Sequence, residues 1–178
     1  MTEHNLRLPA EGKRGDWSIT REERRWGDTP SLYTFLREGG HCWMSDVPLE
    51  MQWTHHLAIP ARGDDILIGG LGLGLLPQLL LPARGRSVTV LEKHQEVIDL
   101  VLAGWDDMPV GLMVERYDVW EFLRQPPTRR YDTIIMDIWT EVDSPAMQAE
   151  IAHLRQLAEP WLAPGGRWIA WGESWIDF

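Results

Sequence analysis

Three things are scarce in this sequence of 178 residues, and each absence excludes a class of protein. There is one cysteine, Cys42, so an internal disulfide is excluded and a reducing compartment is expected. The longest apolar stretch, Ile66 to Leu81, is shorter than a membrane-spanning helix and is interrupted by four glycines. The polar N-terminus has no apolar core of the kind found in signal peptides. These features predict a cytoplasmic protein with no membrane partner.

Excess positive charge is also absent, because the formal net charge is −10 at pH 7. Proteins that hold nucleic acid by neutralising many phosphates are normally basic, so we expect no nucleic-acid partner. An acidic surface suits a cationic small-molecule substrate, although acidity also serves solubility alone. Tryptophan, by contrast, is abundant, with 11 residues. We expect most of them in the core and one or two stacked on a planar or cationic ligand.

The patterns along the chain divide it into three segments. Residues 1–16 are polar and are predicted to form a flexible tail. Residues 17–60 are predicted to form a small β-hairpin, with Gly39 and Gly40 at its turn, and then a short helix. In residues 61–178, continuously apolar strands alternate with helices, which predicts an α/β domain that binds a nucleoside. The expected fold class is therefore a doubly wound, mostly parallel sheet with an N-terminal β-hairpin.

The first apolar strand of the α/β domain ends in a cluster of glycines, Gly69, Gly70, Gly72 and Gly74. In a doubly wound sheet, ligands bind at the carboxyl ends of the strands, and a glycine-rich turn there lets a nucleotide approach the backbone. Tight packing of a helix on a strand would also favour glycine. The dinucleotide pattern G-x-G-x-x-G requires glycine where Leu75 stands, so a nicotinamide-dependent oxidoreductase is disfavoured.

Acidic residues end the next three predicted strands. Glu92 lies 22 residues after Gly70, where a carboxylate can accept the hydroxyl protons of a ribose. Asp118 follows the third strand and can accept from an adenine amino group. Asp137 ends the fourth strand at the mouth of the same crevice. Each has a structural alternative: a cap on the following helix for Glu92 and Asp118, and a bond to the next loop for Asp137.

These residues together resemble the class I S-adenosylmethionine-dependent methyltransferase fold, and within it the spermidine synthase-like branch. The stretch "ILIGGLGLG" (66–74) resembles the first motif, and "LAPGGRWIA" (162–170) resembles the LxPGG turn and fifth strand. "YDTIIMD" (131–137) resembles the YDxIIxD strand of the synthases. The last two strands of the seven-stranded fold have no counterpart, so a C-terminally truncated sheet is expected. Its open edge would need covering, which predicts a homodimer.

The resemblance implies that the cofactor is S-adenosylmethionine or its decarboxylated form, and that Asp137 is the catalytic base that activates an amine. The implied cofactor-binding residues come from the glycine turn and the acidic positions with their neighbours: Gly70, Leu71, Gly72, Gly74, Glu92, Lys93, Asp118, Val119 and Asp137. Trp139, Glu141 and His55 are the candidate substrate contacts. Adjacent histidines such as His55 and His56 point apart on a helix, so no metal site is predicted.

Three functions stay open on this basis. The first expectation is a methyltransferase that acts on a small or peptide-borne amine. The second is an aminopropyltransferase, similar to spermidine synthase, that uses the decarboxylated donor. The third is a catalytically inactive protein that only binds a nucleoside.

Overall fold

The computed structural model describes residues 6–26, 29–81, 85–105, 107–140 and 144–173. Within these ranges the chain forms an antiparallel sheet of four strands followed by a parallel sheet of five strands. The antiparallel sheet and the helix after it comprise β1 (Gly12–Arg14), β2 (Trp17–Trp26), β3 (Thr29–Glu38), β4 (His41–Ser45) and α1 (Pro48–Ala58). The α/β body comprises β5 (Asp65–Gly69), α2 (Leu75–Leu80), β6 (Ser87–Glu92), α3 (Gln95–Leu102), β7 (Leu112–Arg116), α4 (Val119–Leu123), β8 (Tyr131–Met136), α5 (Pro145–Ala158) and β9 (Leu162–Ala170).

The parallel sheet has the strand order β7-β6-β5-β8-β9, and every neighbouring pair in it is parallel. The strand order reverses between β5 and β8, because β6 and β7 lie on one side of β5 while β8 and β9 lie on the other. This reversal is the switch point at which open α/β sheets bind their ligands. The predicted α/β class and parallel sheet are confirmed.

Both faces of the sheet are covered, as the continuously apolar strands require. Ile66 and Ile68 pack into one core cluster with α2 and α3, whereas Leu67 between them packs into a second cluster with α4 and α5. All three side chains are fully buried. The alternation along β5 therefore assigns each strand face to its own pair of helices.

The N-terminal sheet is larger than the predicted hairpin. The turn at Gly39 and Gly40 joins β3 and β4 as expected, and both glycines have positive φ. However, β2 and β3 pair over ten residues each, and β1 lies in the segment that was expected to be a flexible tail. Because β1 is a short polar strand without alternating hydrophobicity, its sequence carries no strand signal.

This sheet packs on the α/β body instead of standing apart from it. Trp17, Ile19 and Leu36 are buried in the same core cluster as Ile66 of β5. Strands β1 and β2 also contact α3. Since the sheet shares the core, its fourth strand reaches the carboxyl ends of the parallel strands.

The last strand includes the LxPGG turn, which the resemblance placed together with the fifth strand. Strand β9 starts at Leu162, which pairs with Tyr131 of β8. The register then shifts, so that Thr133 pairs with Arg167. The "PGG" turn is therefore an irregularity inside a strand, with Gly165 at φ 78°.

In the described ranges, no helix is both long and apolar enough to cross a bilayer.

Candidate functional site

A cavity of about 290 Å³ lies at the carboxyl ends of β5, β6, β7 and β8, beside the switch point. This volume is close to the lower end of the range of about 300–1,000 Å³ found for small-molecule sites. Its lining includes Glu92, Asp118 and Asp137, so the structure brings together the three acidic strand ends that the sequence singled out. We call it the strand-end cavity.

Two glycines of the turn after β5 are required by close approach of other backbone or side-chain atoms. Gly70 has φ 93°, and a Cβ there would lie 2.3 Å from the carbonyl oxygen of Asp137. Gly72 has φ 54°, and a Cβ there would lie 2.3 Å from the Sδ of Met44. Both glycines line the cavity. Their missing side chains therefore shape the cavity wall as well as the turn.

Two predicted cofactor-binding residues do not line this cavity. The Leu71 side chain is buried in the core cluster, and only its backbone faces the site, through its N–H bond to Glu92. A Cβ at Gly74 would contact Val101 and Trp105, so this glycine serves the packing of the turn on α3 and the residues after it. At Gly74 the packing alternative of the sequence analysis is the one that the structure shows.

Glu92 is buried at the end of β6 and has two backbone partners. Its Oε2 accepts from the N–H of Leu71 at 3.0 Å, and its Oε1 accepts from the N–H of His94 at 2.8 Å. The bond to His94, where α3 begins, corresponds to the expected capping alternative. A carboxylate offers about four lone-pair sites, so two acceptor sites remain for hydroxyl groups of a bound ligand.

Asp118 has two structural roles and also lines the cavity. Its Oδ1 accepts from the N–H of Trp120 at 2.8 Å, which makes it the N-cap of α4, and its Oδ2 lies 3.3 Å from the Nζ of Lys93. Lys93 and Val119, both predicted to bind the cofactor, line the same cavity. The N-cap bond fixes the Asp118 carboxylate at the cavity wall, where Oδ2 faces the exposed Lys93 side chain.

Asp137 follows β8 and lines a second cavity in addition to the first. The residue is half-buried, but the protein encloses its carboxyl group. Desolvation, together with the nearby negative charge of Glu50, raises the pKa of Asp137 to about 7. An acid with this pKa takes up and releases protons near neutral pH, which is what a general base requires.

The second cavity has a volume of about 200 Å³, and we call it the α1 cavity because α1 forms one of its walls. It shares Trp43, Met44, Asp137 and Trp139 with the strand-end cavity, and these four residues form the wall between the two. Its other side chains include Glu50, Trp53 and Trp171. The indole rings of Trp53 and Trp171 meet edge to face, with centroids 5.8 Å apart.

One face of α1 lines the α1 cavity. Glu50, Trp53, Thr54 and Leu57 recur at helical spacing and all lie in its wall. The predicted substrate contact His55 lies in neither cavity wall. It is exposed, and its Nδ1 lies 2.6 Å from the carbonyl oxygen of Met51 in the same helix. His55 falls outside the helix face that is turned toward the α1 cavity, so its contact with a substrate stays a prediction that these two cavities do not support.

Glu50 was missed by the sequence analysis. Its carboxylate accepts from the N–H of Ser45 at 2.5 Å, and burial raises the pKa of Glu50. The signal that was available is its position, one helical turn before the apolar face formed by Trp53 and Leu57.

Trp139 lies where the sequence placed it, in the wall shared by the two cavities. Its Nε1 donates to Oε2 of Glu150 on α5 at 3.0 Å, which orients the indole. Glu141, the other predicted substrate contact on this loop, lies outside the described residues.

The N-terminal sheet supplies aromatic walls that the sequence did not predict. Trp17 and Trp43 line the strand-end cavity, with ring centroids 5.7 Å apart. The Trp17 ring also lies 4.8 Å from the ring of His94. These contacts join residues distant in sequence, so neither spacing nor periodicity indicates them.

The charged groups of the strand-end cavity are mostly acidic. Glu92, Asp118, Asp137 and Glu150 line it, and Lys93 is its one lysine or arginine among the described residues. No three His, Cys, Asp or Glu side chains in the described ranges are grouped to hold a metal ion. The acceptor sites that remain on Glu92 are available to hydroxyl groups of a ligand in this cavity.

Solved structures that match this architecture include spermidine synthases. A probable spermidine synthase from Corynebacterium glutamicum matches with a TM-score of 0.63 and 15% identity, over 93% of this chain and 64% of that one. The spermidine synthase from Thermotoga maritima matches with a TM-score of 0.57 and 18% identity, over 88% of this chain and 53% of that one. A spermidine synthase in complex with the transition-state analogue AdoDATO has a TM-score of 0.59 and 17% identity, with 88% and 55% covered.

The chain thus spans between about half and two thirds of the length of these enzymes. No protein-family model matches the sequence, and no curated protein matches it significantly. At such low identity the similarity establishes the fold and not the reaction. The chain has the class I S-adenosylmethionine-dependent methyltransferase fold, in the form found in the spermidine synthase-like branch.

Proposed function

We propose that this protein transfers an alkyl group from an adenosyl sulfonium donor to a small cationic amine. The observation that carries the proposal is the position of Asp137. Its carboxyl group lies in the wall shared by the strand-end cavity and the α1 cavity, and its pKa is about 7. A base between a donor site and an acceptor site is the arrangement that such a transfer requires.

In this proposal the strand-end cavity holds the donor. Glu92 accepts the ribose hydroxyl protons with the lone pairs that Leu71 and His94 leave free. Asp118 and Val119 contact the adenine, and the turn at Gly70 and Gly72 lies against the sulfonium arm. Asp118 keeps its orientation because the N–H of Trp120 holds one of its oxygens.

The α1 cavity holds the acceptor amine. Trp43, Trp53, Trp139 and Trp171 provide ring faces and edges for an alkylammonium ion, and Glu50 and Asp137 provide negative charge. A carboxylate buried beside such rings favours a cation, since a neutral or anionic ligand would leave its charge uncompensated.

Asp137 accepts the proton that the attacking nitrogen must lose. The bound donor would supply the electrophilic carbon, and methylthioadenosine would leave as the new N–C bond forms and the C–S bond breaks in aminopropyl transfer. The ionised Asp137 takes one proton from the ammonium form of the amine and later releases it to solvent. A pKa near 7 allows both steps at neutral pH.

Aminopropyl transfer is the form of this reaction that the cavity charges favour. S-Adenosylmethionine carries a carboxylate on its arm, and the decarboxylated donor does not. The cavity lining contains four carboxylates, and its lysine is already paired with Asp118. An additional carboxylate would meet repulsion without a free cation, so the decarboxylated donor is the better match. The AdoDATO complex of a spermidine synthase with the same fold supports this choice.

The test is a transfer assay, read by mass spectrometry, with each of the two donors and a panel of monoamines and diamines. We expect a product enlarged by an aminopropyl group from the decarboxylated donor. Replacing Asp137 by Asn should lower kcat by about 10²–10⁴-fold with little change in donor affinity. Asp99→Asn, an exposed Asp on α3, is the matched control and should retain full activity.

The other expectations correspond to distinct results. Methyl transfer from S-adenosylmethionine, with none from the decarboxylated donor, would replace aminopropyl transfer by the reaction that the sequence favoured first. Nucleoside binding without transfer to any amine would identify an inactive binding protein. Full activity of Asp137→Asn would remove Asp137 from the mechanism.

A further inference from the structure

Met44 of β4 places its side chain against the glycine turn. Its Sδ lies 3.1 Å from the backbone nitrogen of Leu73 and accepts that N–H. The same atom occupies the space that a Cβ at Gly72 would need. Met44 also lines both cavities, so it belongs to the wall between the proposed donor and acceptor sites.

Four N–H groups of the turn, those of Gly70, Leu71, Leu73 and Gly74, donate hydrogen bonds within the protein. Gly70 donates to the carbonyl of Leu91, and Gly74 donates to the carbonyl of Leu71. The N–H of Leu71 binds Glu92, and the N–H of Leu73 binds Met44. These four donors are the groups with which a glycine turn holds an anion elsewhere. Here a carboxylate on the ligand would have to compete for them.

Among the described residues, the wall that the two cavities share at Met44 contains no lysine or arginine. The neighbours of Met44 in this wall are Trp43, Asp137 and Trp139, and Glu50 lies in the α1 cavity. A thioether accepts only weak hydrogen bonds and donates none. A carboxylate placed against it loses its water without gaining a partner, which is unfavourable, whereas a methylene chain packs well on the polarisable sulfur.

We propose that Met44 determines donor selectivity: seated against Gly72 and bonded to Leu73, it disfavours an adenosyl donor whose arm bears a carboxylate. This inference rests on the proposed function, since it presumes that the strand-end cavity binds such donors. By this inference, a residue of the N-terminal sheet helps to select the donor.

Two substitutions of similar size separate this role from simple packing. Met44→Gln keeps an acceptor for the Leu73 N–H and adds an amide donor for a carboxylate. Met44→Leu keeps the apolar volume and adds no donor, so it is the matched control. Far-UV circular dichroism shows whether both variants remain folded.

The measurement is calorimetric titration of the wild type and both variants with three compounds. These are S-adenosylmethionine, its decarboxylated form, and methylthioadenosine, which has no arm beyond the methyl group. The wild type should prefer the decarboxylated form by tenfold or more, and Met44→Gln should reduce this preference by about tenfold. Met44→Leu should keep it within about threefold, and the affinity for methylthioadenosine should stay within about threefold in all three proteins.

Three results would overturn the inference, and they differ in what else they affect. If the wild type binds none of the compounds, the proposed function fails and the role of Met44 fails with it. If methylthioadenosine binds, but the wild type and Met44→Gln prefer the decarboxylated donor over S-adenosylmethionine equally, only the role of Met44 fails. If all three compounds weaken equally in both variants, Met44 supports the turn without selecting the donor.

Discussion

Asp137 and Glu50 are two carboxylates whose positions only the folded chain explains. Asp137 follows β8, and Glu50 lies on α1, yet both line the α1 cavity. Burial is the main reason for the raised pKa of Asp137, and the charge of Glu50 is the second. Burial and the charge of Glu50 therefore keep the pKa of Asp137 near neutral pH, where a general base is most effective. A cationic acceptor would relieve the repulsion between the two carboxylates.

The pH dependence of transfer follows from this pair. The base must be ionised, so kcat/KM should rise with pH through about 7, the pKa of Asp137. Glu50→Gln removes one of the two causes that raise this pKa, so the rise should move to lower pH. Desolvation, the larger cause, remains, and the shift should therefore be partial. The check is a profile of kcat/KM against pH for the wild type and the variant.

A control separates this effect from a general loss of negative charge. Glu121 is an exposed residue of α4 outside both cavity linings, and Glu121→Gln should leave the profile unchanged. A profile of Glu50→Gln that coincides with the wild type would exclude electrostatic coupling between Glu50 and Asp137. If the rise in kcat/KM moved to higher pH in Glu50→Gln, Glu50 would lower the pKa of Asp137 instead of raising it.

The residues that could be predicted from the sequence are those that follow strands. Glu92, Asp118, Asp137 and Trp139 each lie at the end of a strand or within three residues after it, and parallel strands bring their carboxyl ends to one edge. Residues supplied by other elements could not be found in this way. Met44, Trp17 and Trp43 reach the site through packing of the N-terminal sheet on the body, and the spacing of residues in α1 does not by itself show whether His55 faces the site.

At the scale of elements, the turn after β5 connects packing with function. Its backbone passes so close to Asp137 that a side chain at Gly70 would collide with the Asp137 carbonyl. The alternation of strands and helices in the body agrees with the prediction, because it follows from continuous or periodic hydrophobicity. The antiparallel sheet and the irregular start of β9 depend on strand pairing, which one sequence does not reveal.

Alanine substitution at two glycines tests the account of the turn. Gly70→Ala should lower the free energy of unfolding by about 2–4 kcal/mol, because it combines positive φ with a backbone collision. Gly104→Ala is the control, since a Cβ there would meet no atom within 4 Å, and its effect should stay within about 1 kcal/mol. Urea denaturation of the wild type, Gly70→Ala and Gly104→Ala measures the change in the free energy of unfolding that each substitution causes. Equal stabilities would show that the turn is looser than described.

At the scale of the whole molecule, the two sheets build one site together. The parallel sheet supplies the acidic strand ends, and the N-terminal sheet and α1 supply Met44, most of the aromatic walls and Glu50. The N-terminal region is therefore a part of the candidate site and not an appendage. Strand β9 lies at an edge of the described parallel sheet, and the homodimer that was expected to cover such an edge stays a prediction.

The central claim is that the strand-end cavity binds an adenosyl group through Glu92, and titration with methylthioadenosine tests it most directly. Glu92→Gln keeps the side-chain size but loses the charge and one acceptor, while Glu96→Gln changes an exposed neighbour on α3. Isothermal titration calorimetry should show one molecule bound per wild-type chain, about tenfold or more weaker binding by Glu92→Gln, and unchanged binding by Glu96→Gln. Absence of binding to the wild type, or equal binding by all three proteins, would contradict the account.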